Sequence, residues 1–140
     1  MPDTKLSRDD IQAMLDASPF INWLGVSVDR IDHDKQEVNM RMPMQPHLER
    51  MPGSGQFHGG AIASLIDIVG DFAVALSVAA PVPTINFRVD FLRPAFGEHL
   101  IATARARRLG RTIAAIDIDV LDAQDRLCAI GRGTYSTIAG

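Results

Sequence analysis

The chain has 140 residues, a formal net charge of −3 and a single cysteine, Cys128. This length predicts one domain over residues 1–140 and leaves open a homo-oligomer whose site is shared between subunits. The charge excludes the basic footprint of a nucleic-acid-binding protein, and one cysteine excludes an internal disulfide or a cysteine metal cluster. Because the sequence also predicts neither a signal core nor an uncharged membrane span, we expect no membrane partner and a cytoplasmic location.

The first predicted element is a short leading helix within residues 1–19. Ser7 and Asp10 have the spacing of a capping box, and Pro19 ends the apolar periodicity. Alternating apolar residues on either side of a polar turn then predict a β-hairpin between residues 26 and 42. A stretch rich in proline and glycine, residues 43–55, predicts an irregular loop.

Residues 59–79 form the long helix candidate, and they are apolar on nearly every face. Such a helix must be enclosed by other structure, which here is a sheet made from the strands before and after it. Two carboxylates, Asp67 and Asp71, nevertheless lie within this run.

Three alternating runs predict strands after the helix, at residues 84–92, 102–107 and 116–120, and a fourth run at 127–138 contains Gly131 and Gly133. The second and third runs both carry apolar residues at even-numbered positions. The residue numbers of two paired residues should therefore add to an even number, and the loop around Gly110 should contain an odd number of residues. Arg105 should then face Asp117. The predicted fold class is α+β, with an antiparallel β-sheet wrapped around one long central α-helix, the hotdog arrangement.

Two motifs carry a family resemblance. His58-Gly59-Gly60 precedes Asp67 at the helix start, and residues 84–95 read TINFRVDFLRPA. Together they resemble hotdog-fold acyl-CoA thioesterases of the phenylacetate-degradation, or PaaI-like, family, over residues 20–138. The resemblance implies an acyl-CoA substrate, with coenzyme A as part of the substrate and no separate cofactor, and a homodimer or homotetramer.

The resemblance also implies site roles. Asp67 would be the general base or nucleophile, the Gly59 amide the oxyanion donor, and Thr84 a holder of the attacking water. Glycines at a helix start leave amides such as those of Gly59 and Gly60 unpaired and let a carbonyl approach closely. In this family the amide and the carboxylate come from different subunits.

One position departs from the family pattern. Pro52 stands where the family commonly has a water-orienting asparagine, and Gln56 or Asn86 is the candidate substitute. For His58 we favour a loop-bracing role over an acid role, and for Asp71 a structural role. Asp67 alone would also be read as a structural acid, but its motif context favours catalysis.

The densest basic cluster comprises Arg107, Arg108 and Arg111 around the Gly110 turn. These arginines are candidates for binding the phosphates of coenzyme A, and the alternative is a solvated hairpin end. Two other functions remain open, namely a dehydratase on thioesters and a non-catalytic acyl-CoA-binding protein. We expect no metal site. The strand at residues 84–92 predicts a dimer, and further a tetramer of two dimers, because pairing with a second copy would cover its edge.

Overall fold

The computed structural model describes residues 5–139. The helices are α1 (Arg8–Ala17), α2 (Pro19–Leu24) and α3 (Gly59–Val78), with a short 3-10 turn at Pro46–Leu48. The strands are β1 (Ser27–Asp32), β2 (Glu37–Pro43), β3 (Thr84–Phe91), β4 (His99–Leu109), β5 (Ile113–Asp122) and β6 (Leu127–Ser136).

The six strands form one antiparallel sheet in the order β1-β2-β4-β5-β6-β3. The inner face of this sheet packs on α3, and twelve of the twenty α3 residues are buried. The predicted α+β arrangement, a sheet wrapped around a central helix, is confirmed. Because α3 has few exposed positions, its polar residues indicate where the helix borders solvent or a pocket.

The leading segment contains two helices rather than one. The predicted capping box of Ser7 and Asp10 is present at the start of α1. Pro19 does not simply end that helix but also begins α2, where Ser18 caps the new turn and proline occupies the first helical position. Residues 1–4 of the predicted extension lie outside the described residues.

The β4–β5 register confirms the parity prediction in the body of the hairpin. Ala104 pairs with Ile118, and Arg105 pairs with Asp117. Near the turn the pairing shifts by one residue at a bulge between Ala106 and Arg108. The loop between the strand bounds, Gly110 to Thr112, has the predicted odd number of residues, whereas the last pair, Leu109 with Ala114, departs from the predicted parity because of the bulge.

The glycines of the last strand make room for a tyrosine that the sequence analysis did not identify. Tyr135 lies on β6, is fully buried, and its hydroxyl reaches α3. A β-carbon on Gly70 or on Gly133 would overlap the Tyr135 ring, whose Cζ atom would be 2.7 Å from it in both cases. On Gly131 a β-carbon would lie 2.7 Å from Ile66 Cγ2. These glycines allow β6 to approach the helix closely.

The strand β3 lies at one edge of the sheet. Its predicted apolar face is only partly covered by the chain itself, since Ile85 is 53%, Phe87 39% and Phe91 56% exposed. An uncovered edge with exposed aromatic side chains is the kind of surface that proteins usually cover by pairing.

Length and composition alone would let α3 cross a membrane, since its 18-residue window has a mean hydropathy of 1.9. The helix is nevertheless not an uncharged span, because it carries Asp67 and Asp71. Because α3 is the enclosed core helix of the sheet, and 67% of that window is buried, the result is weak evidence for a span.

Candidate functional site

The start of α3 is capped by His58. Its Nδ1 accepts a hydrogen bond from the Gly60 amide at 2.8 Å, and its backbone N–H donates to the Leu48 carbonyl. This contact supports the bracing role expected for His58. It also occupies the Gly60 amide, which was a candidate oxyanion donor. Among residues 5–139 no hydrogen-bond partner lies at the Gly59 amide, so the structure leaves this donor available.

The Gly59 amide borders an open pocket of about 370 Å³, which we call the glycine pocket. Its walls combine apolar side chains with two arginines, Arg50 and Arg93. Neither arginine forms an ion pair with a residue of the described range. The full lining is Arg50, Gln56, Phe57, Gly59, Ile62, Phe91, Leu92, Arg93, Pro94 and Ala95.

Asp67 lies two turns further along α3. Its Oδ1 accepts a hydrogen bond of 2.7 Å from the Thr84 hydroxyl. The Tyr135 hydroxyl donates to the backbone carbonyl of Asp67 at 3.1 Å, an unusual contact for a helix carbonyl. Within residues 5–139 the second carboxylate oxygen has no protein partner. The carboxylate is thus oriented through one oxygen and available through the other.

A bulge decides which side chain of β3 reaches Asp67. Strict alternation would place Thr84 and Asn86 together on the outer face of the sheet. The register shifts between Thr84, which pairs with Tyr135, and Asn86, which pairs with Thr134. Thr84 therefore turns inward to Asp67, whereas Asn86 is exposed on the outer face. Of the two candidate substitutes for the family asparagine, only Gln56 lies beside a predicted site residue, Gly59.

Asp67 and Asp71 line a second pocket of about 350 Å³, which we call the acid pocket. Its remaining walls are mostly apolar. Burial, and secondarily the charge of Asp67, raise the pKa of Asp71 to about 7 against the weaker opposing effect of its hydrogen bond from the Val82 amide. The same burial and the two nearby carboxylates raise the pKa of Tyr135. The full lining is Ser18, Phe20, Ile21, Ala63, Ser64, Asp67, Ile68, Asp71, Phe72 and Phe87.

The glycine pocket and the acid pocket are separated along one helix. The eight-residue step along the α-helix from Gly59 to Asp67 corresponds to a rise of about 12 Å. A thioester carbonyl bound to the amide and a water held by the carboxylate must lie within about 3 Å of each other to react. Within one chain these two groups are too far apart to act on the same bond.

The remaining predicted residues lie away from both pockets. Arg107 points to the outer face of the sheet, where its Nε lies 3.5 Å from Asp117 Oδ2. Arg108 and Arg111 lie near the same hairpin end and are exposed. Pro52 lies in an exposed turn before the glycine pocket. Among residues 5–139, no three His, Cys, Asp or Glu side chains form a group that could hold a metal ion.

Comparisons with known proteins agree with this architecture. A family model described as the thioesterase superfamily matches residues 54–129. A Halobacterium salinarum protein provisionally named an esterase is 39% identical over 136 residues, covering 89% of this chain and 88% of its own. The acyl-coenzyme A thioesterase PaaI of Escherichia coli is 30% identical over 129 residues, covering 91% and 89%. The solved E. coli PaaI structure matches with a TM-score of 0.80 and 26% identity, covering 94% and 93%.

Proposed function

This chain belongs to the PaaI-like family of hotdog-fold thioesterases, and we propose that it hydrolyses acyl-CoA thioesters to a free acid and coenzyme A. The residues proposed to act are Asp67, Thr84 and the Gly59 amide. A site would combine the acid pocket of one subunit with the glycine pocket of a second copy of the chain.

In the proposed reaction Asp67 acts as a general base. The water oxygen bonds to the thioester carbonyl carbon while a water proton passes to Asp67, and the carbonyl electron pair moves onto its oxygen. The Gly59 amide of the second copy donates a hydrogen bond to that oxygen as it becomes negative. Collapse of the intermediate breaks the carbon–sulfur bond, and the departing thiolate of coenzyme A takes the proton from Asp67. Thr84 keeps the carboxylate oriented throughout.

The observation that carries the proposal is the separation of two complementary half-sites on one helix. A thioesterase needs both a base and an oxyanion donor at one carbonyl. The chain has each half in its own pocket, Asp67 in one and Gly59 in the other. A second copy is the simplest source of the missing half for each.

The edge strand β3 supports this pairing. Phe87 lines the acid pocket and Phe91 lines the glycine pocket, so β3 borders both. If two β3 strands pair antiparallel about a two-fold axis near Val89, Phe91 of one copy faces Phe87 of the other. This arrangement would bring the glycine pocket of one chain to the acid pocket of the other and would cover the exposed edge. The homodimer is therefore part of the proposal, and the further step to a tetramer stays a prediction.

Subunit mixing tests the shared site. Asp67→Asn keeps the side-chain shape and removes the base. Gly59→Pro removes the amide donor at the first helical position, where proline is well tolerated. The preceding His58 has φ −62° and ψ 138°, which a following proline accepts. Each variant alone should lose at least about a hundredfold in kcat.

A mixed dimer rebuilds one intact site from the two undamaged halves. Equal mixing after reversible dissociation should restore about a quarter of wild-type activity, since half of the dimers are mixed and each has one good site. Release of coenzyme A from a panel of acyl-CoA esters is the measurement. No recovery despite demonstrated subunit exchange would contradict the shared site, and full turnover by Asp67→Asn would contradict its role as base.

The contacts of His58 bear on the dehydratase alternative. Such an enzyme needs a histidine or acid positioned for proton transfer on the acyl chain. The Nδ1 atom of His58 already accepts from the Gly60 amide and serves as the helix cap. This use of His58 favours hydrolysis over dehydration.

A further inference from the structure

The proposed mechanism leaves one acid of the acid pocket unused. Asp71 lies one helical turn beyond Asp67, and both side chains line the same cavity. Asp71 Oδ1 accepts a hydrogen bond of 3.1 Å from the Val82 amide. Val82 belongs to the connection between α3 and β3, and Thr84, two residues later, donates to Asp67. The two acids therefore hold neighbouring points of one short segment against α3.

Resting on the proposed function, we propose that Asp71 is a positioning residue of the reaction, which anchors the α3–β3 connection so that Thr84 stays on Asp67 and whose charge state adjusts the reactivity of Asp67. Asp71 itself touches no reacting atom in this role. The geometry on which the proposal depends is the pair of hydrogen bonds from Val82 and Thr84 to the two acids of a single helix face.

Among residues 5–139, the lining of the cavity beside Asp71 includes acids but no neutralising cation. From α3 the titratable neighbour is Asp67, and from β6 it is Tyr135, whose pKa is raised by both acids. The parts of α2 and β3 that line the cavity contribute the uncharged side chains Phe20, Ile21 and Phe87. No lysine, arginine or histidine of the described range lines the cavity. Since burial raises the pKa of Asp71 to about 7, its charge changes across the neutral range.

Whether ionisation of Asp71 raises or lowers the rate depends on where negative charge moves during the reaction. Proton transfer from water neutralises Asp67 and places the negative charge on the carbonyl oxygen, at the Gly59 amide of the second copy. An ionised Asp71 destabilises the anionic Asp67 of the starting state more than it destabilises this transition state. Ionisation of Asp71 should therefore speed the reaction, by about threefold to tenfold, because a nearby charge of the same sign makes Asp67 the better proton acceptor.

The test compares kcat between pH 5.5 and 8.5 for the wild type and for Asp71→Asn. The asparagine retains an oxygen that accepts from Val82 but cannot ionise. The wild type should show a rise centred near pH 7, and Asp71→Asn should lack that rise while keeping KM. Asp71→Ala removes the acceptor as well and should lower kcat at every pH. Asp119→Asn, an exposed acid on the outer face of the sheet, is the matched control and should keep the wild-type profile.

A second readout does not depend on turnover. Carbon-13 spectra of labelled aspartate carboxyls should contain a titration near pH 7 that disappears in Asp71→Asn. Its midpoint should move down in Asp67→Asn, because the charge that helps to raise it is removed.

An Asp71→Asn enzyme with the wild-type pH profile would overturn this role while leaving the thioesterase proposal intact. A midpoint unmoved by Asp67→Asn would overturn the coupling between the acids. A wild-type protein that releases no coenzyme A from any ester would instead refute the proposed function, and with it the reaction that Asp71 is inferred to assist.

Discussion

The two pockets of α3 differ in what they offer and in how they are built. The glycine pocket lies at the helix start, presents an unpaired amide and is bordered by Arg50 and Arg93. The acid pocket lies at mid-helix, where the backbone is enclosed by β6 and the side chains are acids and apolar groups. A helix start has unpaired amides by construction, whereas mid-helix amides are all used, so a mid-helix acid such as Asp67 has no unpaired amide of its own helix beside it. Their separation is the reason to expect a second copy.

The largest effect is expected from matched glycine-to-alanine changes at the two places. Gly70→Ala should destabilise the fold by about 2–3 kcal/mol, since the new methyl group overlaps Tyr135. Gly59→Ala should cost less than about 0.5 kcal/mol, because its nearest neighbour is the Phe91 ring at 3.4 Å and alanine is the better helix former. Urea unfolding measures both. Equal costs would show that the helix start is as tightly packed as its middle.

Next in size is the loss of the Thr84 hydroxyl. Thr84→Val keeps the shape but removes the hydrogen bond to Asp67, and kcat should fall about tenfold or more, with KM nearly unchanged. Ser64→Ala is the matched control in the same pocket. The Ser64 hydroxyl donates to the Gly60 carbonyl rather than to an acid, so its removal should change kcat less than about twofold. A similar loss from both would indicate general damage to the pocket.

A smaller effect is expected on the pH dependence of folding stability, to which Asp71 of the acid pocket contributes. The pKa of Asp71 is raised from 3.8 to about 7 in the folded chain, so its neutral form is favoured there. That contribution to stability is fully present below about pH 4 and is lost as the pH rises through about 7. Asp71→Asn should thus gain stability relative to the wild type as the pH rises between these values. Chemical denaturation at pH 4.5 and pH 8 is the measurement, and a pH-independent difference would contradict it.

The smallest effects are expected from replacing arginines, and they should appear in KM. Arg50 and Arg93 border the glycine pocket, whereas Arg107 already faces Asp117 on the outer face of the sheet. Arg50→Ala or Arg93→Ala should raise KM for CoA esters about threefold to tenfold at low salt and less at high salt. A truncated thioester without the nucleotide should be little affected. If Arg107→Ala has the larger effect, the basic hairpin cluster is the phosphate site after all.

Several elements were predictable because they depend on local pattern. The capping box at Ser7, the apolar run of α3 and the pairing of Arg105 with Asp117 follow from periodicity and parity, and the structure confirms them. The pairing did not predict the ion pairs, however. Arg105 binds Glu37 of β2, and Asp117 binds Arg132 of β6, since each side chain turns to its direct partner on the other neighbouring strand.

The site was predictable only in part. The glycines and Asp67 were identified through a motif, but nothing local indicated that the Gly60 amide would be used by His58. Tyr135 was missed, although its signal was present as two glycines ahead of a lone tyrosine in an apolar strand. The spacing of glycines alone does not identify the large side chain that fills the space left by their missing β-carbons.

The sequence by itself determined the central helix, the alternation of the strands and the presence of an acid inside an apolar run. These depend on residue type and period, which are properties of neighbouring positions. Only the tertiary structure decided that a bulge turns Thr84 toward Asp67 and Asn86 away from it. It also decided that Asp71 holds the α3–β3 connection just before Thr84. A bulge moves one residue across a sheet for a small local cost. Its position is set by the packing of β3 on β6 and α3, contacts between residues far apart in the chain.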